Sequence, residues 1–261
     1  MVDYPVISLT TDFGLSDGFV AACHGVIAGL APAVRVIDVT HLVDPGDITR
    51  GAVVLAQTVP FLPPAVHVAV VDPGVGTARR PVAVQTPGGL LVGPDNGLLP
   101  WAADALGGPT AAVEVSNSDW FVGVSRTFHG RDVFAPVAAR LATGASLADA
   151  GPAIDPAGLV RLPEPAVSAG EGWLESQVLT VDRYGNVQLA ASGAALDALG
   201  SRLRVGGIRA VRGGTFGDTH PGGLVVYVDS AGRAAVAVNG GRAAAVLAVR
   251  PGHVVRLVTV H

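Results

Sequence analysis

What most constrains the fold of this chain is a change of texture near residue 151. Before it, short β-rich runs alternate with helical segments, and after it only strand-like runs remain. VISLTTDF (6–13), VRVIDVT (34–40), AVHVAVVD (65–72), VAVQT (82–86) and GLLVGPDN (89–96) are short, and several are apolar on both faces. Strands buried in a largely parallel sheet have that pattern. Between them, DGFVAACHGVIAGLAP (17–32) carries apolar residues at helical spacing, and DITRGAVVLAQTVPFLP (47–63) opens with an aspartate suited to an N-cap. HGRDVFAPVAARLATG (129–144) supplies a further helix, stopped by Gly144. This alternation implies right-handed crossovers and an α/β layer architecture. GPAIDPAGLVRLPEPAVSAGEG (151–172) is rich in Pro and Gly and keeps no period. Beyond it, LESQVLTVD, GNVQLAA, RLRV, IRAVRGGT, GGLVVYVDS, RAAVAVN, AAVLAV and HVVRLVTV read as strands separated by turn residues. The expected organisation is an α/β N-terminal domain with a largely parallel sheet over 1–160, a linker at 161–172, and an all-β, barrel-like domain over 173–261.

Composition narrows the function. Apolar residues make up 49% of the 261 but aromatics only 5%, so the cores should be built from small, closely packed side chains. Every apolar stretch is broken by Pro, Gly, Asp, Arg or His well short of the roughly 18 residues a membrane span needs, which predicts a soluble protein. MVDYPVISLTTDFG lacks the basic and apolar regions of a secretory signal, so a cytoplasmic location is expected. Cys23 is the one cysteine, which rules out an internal disulfide and reads as core packing. Net charge is -4, none of the 17 basic residues is Lys, and no basic cluster occurs, which argues against nucleic-acid binding. With no HExxH motif and no cysteine pair, no metal site is expected.

In α/β sheets ligands collect outside the carboxyl ends of the strands. Asp12, Asp72 and Asp95-Asn96 each follow a β-rich run, so three loops should converge on one edge. Any one aspartate there, taken singly, reads first as a helix cap or an Asx turn; the shared position is the signal. TTDFG (10–14) and HGRD (129–132) contain kinase-like triplets in the wrong order and without a Gly-rich loop or strand lysine, which excludes a kinase. DPGVGTAR has glycines but neither a GK[ST] ending nor G-x-G-x-x-G spacing, so a phosphate cradle is weakly supported.

Taken jointly, TTDFGxxDGFVA (10–21), VIDVTH (36–41), VVDPGVGTxRR (70–80), GPDNGLL (93–99), FHGRDVFAP (128–136), DRYGNVQ (182–188) and DSxGRxxxAVNGGRA (229–243) resemble the S-adenosyl-L-methionine hydroxide adenosyltransferase family. That family is related to fluorinating and chlorinating enzymes acting on the same substrate. The resemblance spans nearly the whole chain, with the motifs in family order. It implies hydrolysis of S-adenosyl-L-methionine to adenosine and L-methionine, with no cofactor and no metal. It also implies a homotrimer whose sites lie between the α/β domain of one subunit and the β-barrel of its neighbour. The family's Asp-Arg-His set falls on Asp72, Arg79 and His129, with Arg80 the alternative by one position. Asp12 resembles the carboxylate that takes both ribose hydroxyls, and Phe128 an aromatic of the sugar pocket. Asp182 and Ser230 resemble residues holding the methionine end; Tyr184, Asn186, Asn239 and Gly240 resemble the adenine site. DRYGN and Asn239-Gly240 are also turn signals in their own right.

The reaction so implied makes one main demand. A neutral thioether leaves without protonation, so the demand falls on the nucleophile, and water with a pKa near 15.7 attacks slowly unless it is positioned and stabilised. Asp72 is expected to orient the water or take its proton, Arg79 to stabilise developing charge, and His129 to act as partner or acceptor. A guanidinium beside a carboxylate weakens the carboxylate as a proton acceptor, which leaves the choice between Asp72 and His129 open. The halogenating relatives have Tyr in place of Asp72 and Arg in place of Ala231, and both departures favour hydroxide over halide. The competing readings are a halide transferase forming a 5′-halo-5′-deoxyadenosine, and a non-catalytic adenosine or S-adenosylmethionine binder.

Overall fold

The computed structural model describes residues 4–123 and 125–260. The chain divides into two compact units, Met1–Leu162 and Pro163–His261. In the first, the strands are β1 (Val6–Thr11), β2 (Arg35–Thr40), β3 (Ala65–Val70), β4 (Pro81–Thr86), β5 (Gly89–Pro94), β6 (Ala111–Glu114) and β7 (Ala153–Ile154). Helices α1 (Phe19–Leu30), α2 (Ile48–Thr58), α3 (Pro100–Ala105) and α4 (Ala135–Ala142) accompany them. The seven strands form one sheet in the order β2-β1-β3-β5-β4-β6-β7. β2, β1, β3 and β5 run parallel, whereas β4, β6 and β7 join antiparallel. The sheet is therefore mixed, with a parallel core, and its parallel strands deliver their carboxyl ends to one edge.

All six residues of β1, β3 and β5 are buried, as their two-sided apolar character predicts. Ile7, Leu9, Val66, Val68 and Val70 meet Ile27 of α1 and Val137 of α4 on one face of the sheet. Ala69, Val71, Val82, Val84 and Leu91 meet Leu55 of α2 and Ala102 of α3 on the other. This period-2 division between two cores is what a three-layer α/β unit requires. Asp47 caps α2 by accepting from the Arg50 backbone N–H at 2.9 Å. That helix stops at Thr58, before the end of the 47–63 segment, and continues as a 3₁₀ turn over Val59–Phe61, where Pro60 lacks an N–H for the α ladder. The segment after His129 opens as one π-helical turn, Gly130–Phe134, before α4.

The second unit contains β8 (Val167–Gly170), β9 (Trp173–Val181), β10 (Val187–Ser192), β11 (Arg202–Val205), β12 (Ile208–Arg212), β13 (Leu224–Val228), β14 (Arg233–Val238), α5 (Ala243–Leu247) and β15 (Val254–Thr259). Following the pairings from β9 through β10, β14, β13, β12, β11 and β15 returns to β9, closing a seven-stranded barrel. β12–β13 is its parallel pair, and β8 adds to β9 outside the ring, within the 161–172 interval read as a linker. Inward residues such as Leu174, Val178, Leu189, Val226, Val236 and Leu257 are fully buried. One reading is corrected: AAVLAV is not a strand. Three consecutive alanines favour helix and break strand alternation, so 243–247 form α5, ended by Ala248 in the left-handed conformation at φ 54°.

Candidate active site at the strand ends

Asp12, Asp72 and Asp95 follow the adjacent parallel strands β1, β3 and β5, but the structure gives them different partners. After β3 the chain turns twice, with Val75 N–H donating to the Asp72 carbonyl at 3.2 Å and Thr77 N–H to the Gly74 carbonyl at 3.2 Å. Gly76 makes this possible: its φ is +75°, and a Cβ there would lie 2.4 Å from the Arg126 carbonyl oxygen. The reversal returns Arg79 to Asp72, where Nε donates to Oδ2 at 2.8 Å and Nη2 donates to the same oxygen. Arg79 Nη2 also donates to His129 Nδ1 at 2.8 Å. The structure thus brings Asp72, Arg79 and His129 into one hydrogen-bonded set.

Both charged members are removed from solvent, with side-chain exposures of 9% for Arg79 and 4% for Asp72. The Arg79 guanidinium lies 5.3 Å from the centroid of the buried Phe134 ring, which supports it from one side. Phe134 was not among the predicted site residues; the only signal for it was its place five residues after His129, on the π-helical turn. Because Arg79 occupies Oδ2, the other carboxylate oxygen is set apart: Asp72 Oδ1 is buried and has no hydrogen-bond partner among the described residues.

His129 is held below the ordinary imidazole range, by burial first and then by the positive charge of Arg79, against the opposing pull of Asp72 and Asp132. The ring is therefore neutral at neutral pH. Since Nδ1 accepts from Arg79, its proton resides on Nε2. Asp132 is itself buried, accepting from Arg131 Nε at 2.6 Å and from the Ser125 N–H at 3.0 Å.

The second arginine of the pair does a different job. Arg80 Nε and Nη2 donate to Asp95 Oδ2 at 3.0 and 2.5 Å, and Nη2 reaches the Gly158 carbonyl at 3.0 Å. Asp95 Oδ1 accepts the Val160 N–H at 2.8 Å. Asp95 is thus spent on tying the end of β5 to the 158–160 segment, and it does not join the cavity that Asp12 and Asp72 line.

That cavity measures about 440 Å³, and its wall includes Asp12, Phe13, Asp72, Thr127, Phe128 and His129. This size suits a small-molecule ligand. Asp12 Oδ2 accepts the Gly46 N–H at 2.9 Å, which fixes the carboxylate at the rim of α2's leading loop. Phe128 meets Phe13 edge-on, with centroids 5.6 Å apart, and the Arg131 guanidinium covers its ring at 5.0 Å. Gly130 is needed for this packing, since a Cβ there would stand 2.7 Å from Phe13 Cζ.

The remaining predicted residues belong to the second unit. DRYGN is the β9–β10 turn: Asp182 accepts from the Asn186 N–H at 2.9 Å and from Asn186 Nδ2 at 2.7 Å, while Tyr184 is exposed. Arg242 Nη1 donates to the Arg183 carbonyl at 2.9 Å and Ala244 N–H to the Gly185 carbonyl at 3.0 Å, so the segment after β14 packs on that turn. Asn239 Nδ2 donates to the Thr219 carbonyl at 2.8 Å, and Gly240 takes a φ of 74° in the turn that follows. Ser230 is exposed beside Asp229, whose Oδ1 accepts the Ala231 and Arg233 N–H groups at 2.9 Å each. Tyr227 joins these loops electrostatically, its hydroxyl pushed up to about 12 by burial and then by the charges of Asp229 and Asp182.

Residues 7–151 match the family described as SAM hydroxide adenosyltransferase N-terminal domain, and residues 176–256 match its C-terminal domain. The chain is 67% identical over 258 residues to an (R)-S-adenosyl-L-methionine hydrolase of Salinispora arenicola, covering 98% of this chain and 99% of that one. It is more distantly similar to a fluorinase of Actinoplanes sp., at 30% identity over 70% of each chain. Among solved structures, an uncharacterized conserved protein from Thermotoga maritima superposes with a TM-score of 0.89 at 34% identity, covering 97% of this chain and 99% of that one.

Proposed function

From the premise that this chain belongs to the SAM hydroxide adenosyltransferase family, we propose that it hydrolyses S-adenosyl-L-methionine to adenosine and L-methionine. Water attacks C5′, the new O–C5′ bond forms as the C5′–S bond breaks, and the electron pair leaves on sulfur as neutral methionine thioether. One proton is lost from the attacking water. The observation that carries this reading is the state of Asp72: one oxygen is pinned by Arg79, and the other is buried and unpartnered beside the cavity. A carboxylate oxygen so placed accepts a hydrogen bond from a water and aims its lone pair.

The same geometry supports a division of labour. His129 accepts from Arg79 at Nδ1 and carries its proton on Nε2, so in this state it is a donor and Asp72 an acceptor in the wall of the cavity that both line. Asp72 takes the water proton, and Arg79 holds the developing hydroxide charge while fixing the other two groups. The nucleophile's charge and the sulfonium charge cancel as the bond forms, so a dry site disfavours the transition state less than the separated reactants. The apolar flank of Val70, Pro73 and Val75 supplies that environment.

Asp12 binds the ribose hydroxyls and Phe128 lines the sugar pocket. The barrel contributes Asp182 and Ser230 to the methionine end, with Tyr184, Asn186, Asn239 and Gly240 at adenine. The working assembly is a cytoplasmic homotrimer in which one subunit's α/β unit meets its neighbour's barrel. Among the described residues no helix is long and apolar enough to cross a membrane. The test is incubation with S-adenosylmethionine in the presence of chloride, with products identified by mass spectrometry. Adenosine and methionine are expected; a 5′-chloro-5′-deoxyadenosine or unchanged substrate overturns the assignment in favour of halide transfer or simple binding.

A further inference from the structure

A second cluster of chemically capable side chains lies apart from the cavity beside Asp72. His24 on α1 places Nε2 2.8 Å from Asp38 Oδ1 on β2, and His41, just beyond β2, places its own Nε2 3.0 Å from the same oxygen. The three potential ligand atoms all lie within 4.8 Å of one another. None of these residues lines the cavity that holds Asp72 and Asp12.

His41 carries the argument. It is only 4% exposed, and its Nε2 is buried with no aligned hydrogen bond among the described residues, although Asp38 Oδ1 is 3.0 Å away. Its other ring nitrogen, Nδ1, lies 2.8 Å from Thr11 Oγ1. When Nδ1–H donates to Thr11, Nε2 presents a lone pair to a carboxylate oxygen, and two acceptors face each other. When the proton sits on Nε2 instead, it is poorly aligned with the carboxylate oxygen 3.0 Å away. A cation bound by both atoms resolves both cases, and the Thr11 contact is then the outer-shell hydrogen bond that orients a ligating imidazole.

We infer that His24, Asp38 and His41 form a binding site for a divalent transition cation of the zinc or cobalt type. Two imidazole Nε2 atoms and one carboxylate oxygen are a ligand set such cations favour. His24 and Asp38 are 37% and 42% exposed, which leaves an open side for the cation to arrive and for solvent to complete its shell. The site follows neither a paired-cysteine nor an HExxH spacing. Its signal is the D-x-x-H of VIDVTH with a helix histidine 14 residues before the aspartate, which explains why motif reading predicts no metal.

The inference is independent of the proposed hydrolysis and is tested by binding. The full-length chain, stripped with a chelator, is titrated with Zn(II) by calorimetry and with Co(II) by visible absorption at about pH 7.5. One equivalent per chain is expected, together with a change in the Co(II) visible bands that saturates at the same equivalence. His24→Gln and Asp38→Asn, both at solvent-exposed positions, should each weaken binding about tenfold or more while the thermal melt stays unchanged. His129→Gln should leave affinity intact. Absence of saturable binding overturns the inference, as does full affinity in a His24→Gln/Asp38→Asn double variant; either result makes the cluster a hydrogen-bonded triad only.

Discussion

At the scale of single residues, the two oxygens of the Asp72 carboxylate differ: Arg79 holds Oδ2, and Oδ1 is buried without a partner among the described residues. Asp72→Asn keeps the size of the side chain but replaces either the unpartnered acceptor or the one that meets Arg79. Turnover should fall about 100-fold or more with KM little changed, measured by steady-state kinetics on S-adenosylmethionine. His129→Ala should cost less, about tenfold, because it removes a positioned neutral ring and leaves the Asp72–Arg79 pair. Near-normal turnover in Asp72→Asn alongside loss in His129→Ala would reverse the assignment of the proton acceptor. The pH profile follows from the lowered pKa of His129. The neutral ring that accepts from Arg79 is populated at neutral and alkaline pH and lost on acidification. The acid limb of kcat/KM should therefore fall with a midpoint below the ordinary imidazole value of about 6.5.

At the scale of elements, the loop after β3 is set by Gly76 and the sheet interior by His67. Gly76→Ala places a Cβ against the Arg126 carbonyl at a positive φ, so the loop carrying Arg79 must rearrange. A stability loss above about 1 kcal/mol, read by chemical denaturation, should accompany the drop in turnover. His67 sits in the centre of β3, fully buried, with Ser8 Oγ at 2.8 Å from Nδ1, and burial lowers its pKa to about 4. A depressed histidine pKa means the unfolded chain binds more protons between that value and about 6.5. This contribution is complete above about 6.5 and is lost as pH falls, amounting to about 2 kcal/mol between pH 7.5 and pH 5. Denaturation curves at the two pH values measure it, and His67→Gln should flatten the difference.

The elements also show what the sequence can and cannot reveal. Two-sided apolar runs mark β1, β3 and β5 because burial on both faces leaves no other pattern. The insertion of β4 between β5 and β6, and its antiparallel sense, are decided by pairing across the sheet, which no local period encodes. The short α3 and β6 carry too few turns or alternations to register. At the site, the strand-end position brings Asp12 and Asp72 to one cavity, but it cannot tell that Asp95 is consumed by Arg80. Phe134, 5.3 Å from the Arg79 guanidinium, lies in the apolar VFAPVAA run, where nothing in the local pattern sets it apart.

At the scale of the whole molecule, the proposed trimer divides each site between chains. Asp72→Asn and Asp182→Ala chains, each nearly inactive alone, should regain part of the activity when refolded together, since some sites in the mixed assembly draw both intact halves. Mixing without recovery would place all contributing residues of a site in one chain. The most direct measurement of the central claim is a reaction in 18O-labelled water with chloride present, followed by mass spectrometry of the nucleoside. Water aimed at C5′ from the Asp72 side predicts adenosine carrying the label in its 5′ oxygen. Unlabelled adenosine, or a 5′-chlorinated nucleoside, would contradict it.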